Sequence, residues 1–371
     1  MIDSGTILLA FAWLLAASVA GWGLPARWQI PAITLSGAGL LGSLSPPSLA
    51  VLATATAGSV LLVRSRAGPN ATAGFIVIVA IAYAAFLVRA GPFGPPGWRG
   101  AVVPLGMAYY VLRLIHYVIE GGRGSLRRHE WFEAVHYQLF PPVLLVGPIN
   151  RFDDFLRDLR RRRWDDALFS DGLARILTGA VKIVLVANYL VGEKLDALRG
   201  LELGTIGAVY VDTVLFWINL YVQFSGYSDV AIGVGAVLGF RMPENFSWPF
   251  LARNIGDFWR RWHITLSNWC RDYVYMPVLA RWRRPALAIT TSMIVLGLWH
   301  EASIHYLLWG LYHASGLTVW RRFEAATRPA YERATRVART GWDTTATLLT
   351  LHFVMFSYPV VGAIEKAIIR S

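Results

Sequence analysis

The chain has 371 residues, 55% of them hydrophobic and only 16% charged, with a formal net charge of +12 and a mean hydropathy of +0.45. That apolar content exceeds the roughly 45–50% of soluble domains, which excludes an ordinary soluble enzyme and indicates an integral membrane protein. The basic excess is almost all arginine, and no basic stretch sits on a nucleic-acid-binding module, so it reads as loop charge that sets topology by the positive-inside rule, among membrane lipids and with no nucleic-acid partner.

The segment MIDSGTILLAFAWLLAASVAGW has a small-residue site near Ala20 but no Lys or Arg ahead of its apolar run, so it reads as a retained first transmembrane helix and not as a cleaved signal. About 20 residues are needed per crossing. Long apolar runs lie at 5–22, 46–63, 72–89, 100–119, 134–149, 172–192, 203–224, 284–299, 302–320 and 344–364, with short ones at 30–43 and 229–241. The expected fold is all-α: a single membrane-embedded domain over 1–371, polytopic, with about nine to eleven transmembrane helices plus short re-entrant or interfacial helices. LFPPVLLVGPINR carries tandem prolines and then Gly147 and Pro148, and predicts a broken or re-entrant segment. The charged islands are 64–66, 121–130, 157–166, 281–284 and 321–340. Most should be cytoplasmic, with 157–166 along the inner leaflet. No inverted repeat of the transporter kind is visible.

Between the runs lies the most informative polar segment, 224–278. From Phe258 the apolar residues fall at 258, 262, 266, 269, 273 and 276, which predicts one helix over 258–276. Asn254 or Asp257 would cap it, and Pro277 falls near its end. Arg260, Arg261 and Arg271 can snorkel, while Trp259, Trp262 and Trp269 suit an interfacial belt. His263, Ser267, Cys270 and Val274 share a neighbouring face, leaving His263 available to an interior cavity.

GLWHEASIHYLLWGLYHA, Gly297 to Ala314, puts three histidines and a glutamate into an otherwise apolar segment. His300 follows TTSMIVLGLW. It is either a core histidine bonded to a neighbour or a functional group, and in lipid an uncharged residue would serve packing at lower cost. A neutral imidazole there is a competent general base. His305 lies off the 300/304/307/311 face and His313 lies toward the helix end, so both are weaker candidates. Glu301 could orient His300, pair with an arginine, or lie at the surface. A zinc motif fails because position 304 is Ile, and neither a GxSxG elbow nor a P-loop is present. Cys270 is the single cysteine, so an intrachain disulfide and a cysteine-based metal site are both excluded. With no metal and no bound cofactor indicated, this equipment fits a hydroxyl acceptor, deprotonated by histidine, attacking an activated acyl group.

GLWHEASIHYLLWGLYHA resembles the GLWHG-x-W-x-(3)-LWGxxHG signature of the membrane-bound O-acyltransferase family, in the flavour of its bacterial alginate O-acetyltransferase and D-alanyl lipoteichoic acid transferase branch. FSGYSDVAIGVGAVLGFRMPENFSWPF, NIGDFWRRWHITLSNWCRDYVYMPV, PLGMAYYVLRLIHYVIE and VGPINRFDDF look like that family's other landmarks, and the likeness spans about 104–315. The resemblance implies helices around a central funnel with His300 as the catalytic residue at its base. It implies a second catalytic histidine in RWHITLS, His263, and an RDY element at Arg271, Asp272 and Tyr273. Ser267, Trp299, Asn254 and Glu301 join those three as substrate-binding candidates, and Glu301 stands where the family usually has glycine. The implied enzyme is a multi-pass acyltransferase of the bacterial cytoplasmic membrane. It would take an acyl, or acetyl, group from acyl-CoA or an acyl carrier protein thioester on the cytoplasmic side. The acceptor would be a hydroxyl of an extracytoplasmic polysaccharide or other envelope molecule, with a secreted or periplasmic transfer partner. Two alternatives stay open. One is a lipid or small-molecule acceptor. The other is a proton-coupled transporter with a histidine relay, which would leave the aromatic- and arginine-rich segment unexplained.

Overall fold

The computed structural model describes residues 4–90, 106–144, 146–200 and 204–370, and among these every regular element is helical. The first part of the run at 100–119 lies outside the described residues. Among the described residues, four helices, Pro46–Arg64, Pro69–Leu87, Asp166–Lys194 and Gly204–Val237, are long and apolar enough to cross a membrane. Arg336–Met355 with Ser357–Ile368 makes a fifth if that pair, bent by 44°, is one span. Of the other apolar runs, 5–22 forms the 19-residue helix Ser4–Trp22, which carries no charged residue, and the rest form shorter or more polar helices.

The chain divides into two compact units, Met1–Leu190 with Tyr221–Glu244, and Val191–Leu220 with Asn245–Ser371. In the first, α1 (Ser4–Trp22), α2 (Ala26–Leu44), α3 (Pro46–Arg64) and α4 (Pro69–Ala90) lead to α5 (Met107–Arg123), α6 (Trp131–Gln138) and α7 (Phe152–Arg161). The tandem prolines stop α6 as expected. Pro141–Val143 is a single 3-10 turn and 147–150 is irregular. This broken stretch is buried against an aromatic core of Tyr137, Phe140, Phe152, Phe155 and Phe240, with Phe155 and Phe240 stacked at 5.1 Å and 12°. Asp165 caps α8 (Asp166–Val181), accepting from Leu168 N at 3.0 Å, and α8 continues in π-helical turns over Lys182–Lys194.

The runs expected separately at 203–224 and 229–241 are one helix, α9 (Gly204–Val237). The small polar residues between them do not break it. Ser225 Oγ donates back to Val222 O at 3.2 Å, and Gly226 is where the helix meets α8. A Cβ on Gly179 would stand 2.6 Å from Gly226 O, and one on Gly172 2.8 Å from Gly233 O. The two helices therefore approach along a seam of glycines, as spans do when dispersion drives their association. Asp229 sits beside that seam, held by Arg175 at 2.7 Å and Lys182 at 2.5 Å, and Arg175 also reaches Glu244. The charges of Asp229, Arg175 and Lys182 inside these spans are thus paired with one another.

The second unit holds α10 (Ile255–Arg261), α11 (Ile264–Cys270), α12 (Met276–Trp282), α13 (Pro285–His300), α14 (Ile304–Arg333), α15 (Arg336–Met355) and α16 (Ser357–Arg370). The single helix expected over 258–276 is broken. Trp262 N closes the last turn of α10 on Phe258 O, and His263 then takes a left-handed conformation with φ 43°. Asn245 causes the break: its carbonyl accepts from Ile264 N at 2.9 Å and its side chain from the Thr265 hydroxyl at 2.6 Å, drawing the start of α11 away from the axis of α10. Nor does Pro277 end the helical stretch. Arg271–Tyr275 is one π-helical piece, after which Pro277 lies in the first turn of α12, where its missing N–H leaves no bond unmade. The island 321–340 is mostly helical too, because α14 runs through it to Arg333.

Candidate active site

The site begins with the α13–α14 hairpin. Gly310 lies so close to α13 that a Cβ would stand 2.6 Å from Met293 O, and Gly297 meets the backbone of Tyr306 and Gly310. Only glycine allows this contact, and it fixes the register of the two antiparallel helices. Glu301, extended at φ −160°, ends α13, and Ser303 caps α14 by accepting from Tyr306 N at 3.3 Å. His300 is thereby the last residue of an apolar helix, facing the first turns of its neighbour.

Its ring lies in an aromatic cradle. Tyr306 stacks on it at 5.6 Å and 26°, Trp299 meets it edge-on at 4.8 Å, and Trp309 at 5.9 Å and 87°. The flanking Trp299 and Trp309 are buried while His300 itself is exposed. An imidazole so placed is held in orientation by ring contacts yet open to a reactant. Trp309 is anchored in turn, its indole N–H donating to Ser357 Oγ at 3.1 Å.

His263 approaches from α11. Its ring is 5.9 Å from that of Trp299, so one indole touches both imidazoles. His263 is 2% exposed, and its carbonyl accepts from Ser267 N at 3.0 Å. The structure therefore brings together His300, His263 and Trp299 of the sequence candidates. Glu301 is adjacent in the chain and half-buried. Asn254 takes the capping role on α10, accepting from Asp257 N at 2.7 Å. Arg271 pairs with Asp272 at 2.9 Å, and Tyr273 lies against Trp269 at 5.1 Å. Ser267 and Arg271 line a separate cavity of about 300 Å³ against α13 and α14.

Sequence reasoning did not single out Tyr306, Trp309 or Asn245. The spacing of Tyr306, Trp309 and His313 along one face of α14 was the available signal for the first two. Asn245 offered none, because its role is visible only in what it bonds. His313 is fully buried among Trp259, Trp309, Tyr312 and Phe353. His305 has a carboxylate partner, Glu365, at 2.9 Å from Nδ1, and lies 4.4 Å from the ring of Tyr358.

The sequence profile of the membrane-bound O-acyltransferase family matches residues 108–348. The chain belongs to the membrane-bound O-acyltransferase family. With its apolar helices, that makes it a multi-pass membrane protein. It is 34% identical over 260 residues to the probable alginate O-acetylase AlgI of Pseudomonas fluorescens, covering 69% of this chain and 51% of that protein. It is 28% identical over 292 residues to the teichoic acid D-alanyltransferase of Bacillus subtilis, covering 74% and 71%. With the peptidoglycan O-acetyltransferase of Helicobacter pylori it shares 32% identity over 227 residues, 58% of this chain and 42% of that one. The chain spans about half the length of the alginate relatives it matches.

Proposed function

We propose that this chain is an O-acyltransferase of the bacterial cytoplasmic membrane. It would move an acyl group, acetyl in the simplest case, from a thioester donor to a hydroxyl of a cell-envelope polymer, with 1–371 acting as one catalytic domain. The observation that carries the reading is the accessible His300 imidazole, fixed by Tyr306, Trp299 and Trp309 at the end of an apolar helix. Lipid-embedded titratable groups without a function are rare. Support for the acceptor class comes from relatives whose names specify alginate, teichoic acid and peptidoglycan.

In the reaction, the acceptor hydroxyl gives its proton to His300 as its oxygen attacks the thioester carbonyl carbon. A C–O bond forms and the carbonyl π pair moves onto oxygen. Collapse of that tetrahedral species reforms the carbonyl and breaks the C–S bond, and the departing sulfur takes the proton from the imidazolium. His263 lies across Trp299 from His300, suited to orient the hydroxyl or to donate a hydrogen bond to the oxyanion. The donor, acyl-CoA or an acylated carrier protein, would enter from the cytoplasm. The acceptor would come from the other side, with or without a periplasmic partner.

The test is transfer of labelled acetyl groups by purified protein. His300→Ala should fold and insert but lose about 10²–10⁴-fold in rate, the usual worth of a positioned proton acceptor, whereas His305→Ala should lose far less. Equal losses in the two variants would remove the special role of His300.

A further inference from the structure

Tyr306 carries a group that the fold does not use. Ser303 caps α14 on the Tyr306 N–H, and Gly297, about one turn before His300 on α13, packs against the Tyr306 carbonyl. The backbone of Tyr306 is therefore pinned beside the end of α13. Its ring is held as firmly. The His300 imidazole stacks on it at 5.6 Å and 26°, and the rings of His305 and Trp309 meet it at 5.7 Å and 6.1 Å with interplanar angles of 76° and 64°. Backbone and ring make all of these contacts, and a phenylalanine would make them equally well.

The hydroxyl is different. A tyrosine O–H in a protein interior usually finds a partner. Those of Tyr312 and Tyr331 donate to Phe353 O at 2.9 Å and to Asp343 Oδ1 at 3.1 Å, and that of Tyr275 accepts from Arg321 at 3.3 Å. Among the described residues the Tyr306 hydroxyl has no such partner. Its oxygen is nevertheless not sealed off, unlike Nε2 of the neighbouring His305 and both ring nitrogens of His313. A half-buried polar group bonded to nothing costs free energy. This one sits on the ring that stacks on the accessible imidazole, where a reactant would meet it.

The reaction itself names the atom it would meet. As His300 takes the proton of the acceptor hydroxyl, positive charge appears on the imidazole and negative charge on the carbonyl oxygen. The face of the Tyr306 ring lies against the first, as a cation–π partner. A neutral phenol is an O–H donor, suited to the second. Two halves of one side chain thus serve the two charges that a single step creates.

We infer that Tyr306 is a further catalytic residue, whose hydroxyl donates a hydrogen bond to the oxyanion of the tetrahedral species. The inference rests on the acyl-transfer reading above. The proton stays on the phenol oxygen throughout, and no covalent bond to Tyr306 forms or breaks. When the carbonyl re-forms and the C–S bond breaks, the charge leaves the oxygen and the hydrogen bond weakens. Tyr306 joins His263, which approaches the same centre across Trp299.

The experiment uses Tyr306→Phe, which keeps the stack on His300 and removes only the hydroxyl. Purified full chain in nanodiscs is given labelled acetyl-coenzyme A or an acetylated carrier protein, with total envelope polysaccharide as acceptor. The variant should unfold at the wild-type temperature. Its kcat should fall by about 10²–10³-fold, the worth of one oxyanion donor, with KM for the donor within about twofold, because the ground-state carbonyl gains little from that bond. A trifluoromethyl ketone analogue of the donor that wild type uses carries the tetrahedral oxygen when hydrated. It should bind the variant weaker by a similar factor, while the inert thioether analogue binds both proteins alike. Wild-type kcat in Tyr306→Phe overturns the assignment, as does a raised KM at unchanged kcat. So does equal weakening of both analogues, or of neither. Wild-type protein that transfers acetyl groups from neither donor overturns the acyl-transfer reading, and this inference with it.

Discussion

His263 is held at φ 43°, a conformation costing a residue with a Cβ about 1–2 kcal/mol. Glycine or asparagine would sit there with less strain, so the imidazole is kept in spite of the backbone it must adopt, beside the indole that also touches His300. This makes chemistry and stability separable. His263→Gly relieves this strain but leaves the cavity of a buried ring, so, assayed well below its own unfolding temperature, it should transfer acyl groups roughly 10²–10³-fold more slowly than wild type, the cost of removing one oxyanion donor. Wild-type rates in that variant would reduce His263 to a cap. His300, His263 and Trp299 were legible in the sequence because polar rings in apolar surroundings stand out, and because the motifs around them are long. Asn245 and Tyr306 were not, since nothing in FRMPENFSW or SIHYLLW distinguishes an anchoring amide or a stacking ring from ordinary loop and helix residues.

The α13–α14 hairpin depends on contact between backbones. Gly310→Val would force a branched side chain against Met293 O and the α carbon of Ile294, with an overpacking cost of about 1–3 kcal/mol and a shift of His300 relative to Tyr306. Both thermal stability in detergent and transfer rate should fall. Gly341→Ala on α15, where a Cβ would meet nothing within 4 Å, is the control and should be neutral or stabilising by up to about 1 kcal/mol through helix propensity. A Gly310→Val protein as stable and active as this control would show that the close approach is not needed. Helices were readable wherever an apolar run had no competing partner, as in α3, α4 and α13. The helix expected over 258–276 failed for the opposite reason: its apolar spacing continues unbroken through Trp262, and only the tertiary bonds from Asn245 interrupt it. The merging of 203–224 with 229–241 into α9 came from a glycine whose lack of a side chain serves packing against α8, where a sequence reading sees a helix breaker.

At the scale of the whole chain, the family match over 108–348 runs through both compact units, while α1–α4 precede it. Membrane character was legible from composition alone. The division into two units was not, because each is closed by segments distant in sequence, 221–244 in one and 191–220 in the other. The account requires the basic end of α14 to be cytoplasmic. A reporter fused within 321–340 should be active only in its cytoplasmic form, and periplasmic activity of that fusion would reverse the topology and the direction of donor entry. The central claim, that His300 is the base of an acyl transfer, is tested most directly by single-turnover transfer from a labelled acyl thioester. Wild type and His300→Ala would be compared at matched thermal stability, with and without added imidazole. The account predicts a rate about 10²–10⁴-fold lower in the variant, partly restored by imidazole. Near-normal transfer by the variant without imidazole would contradict it.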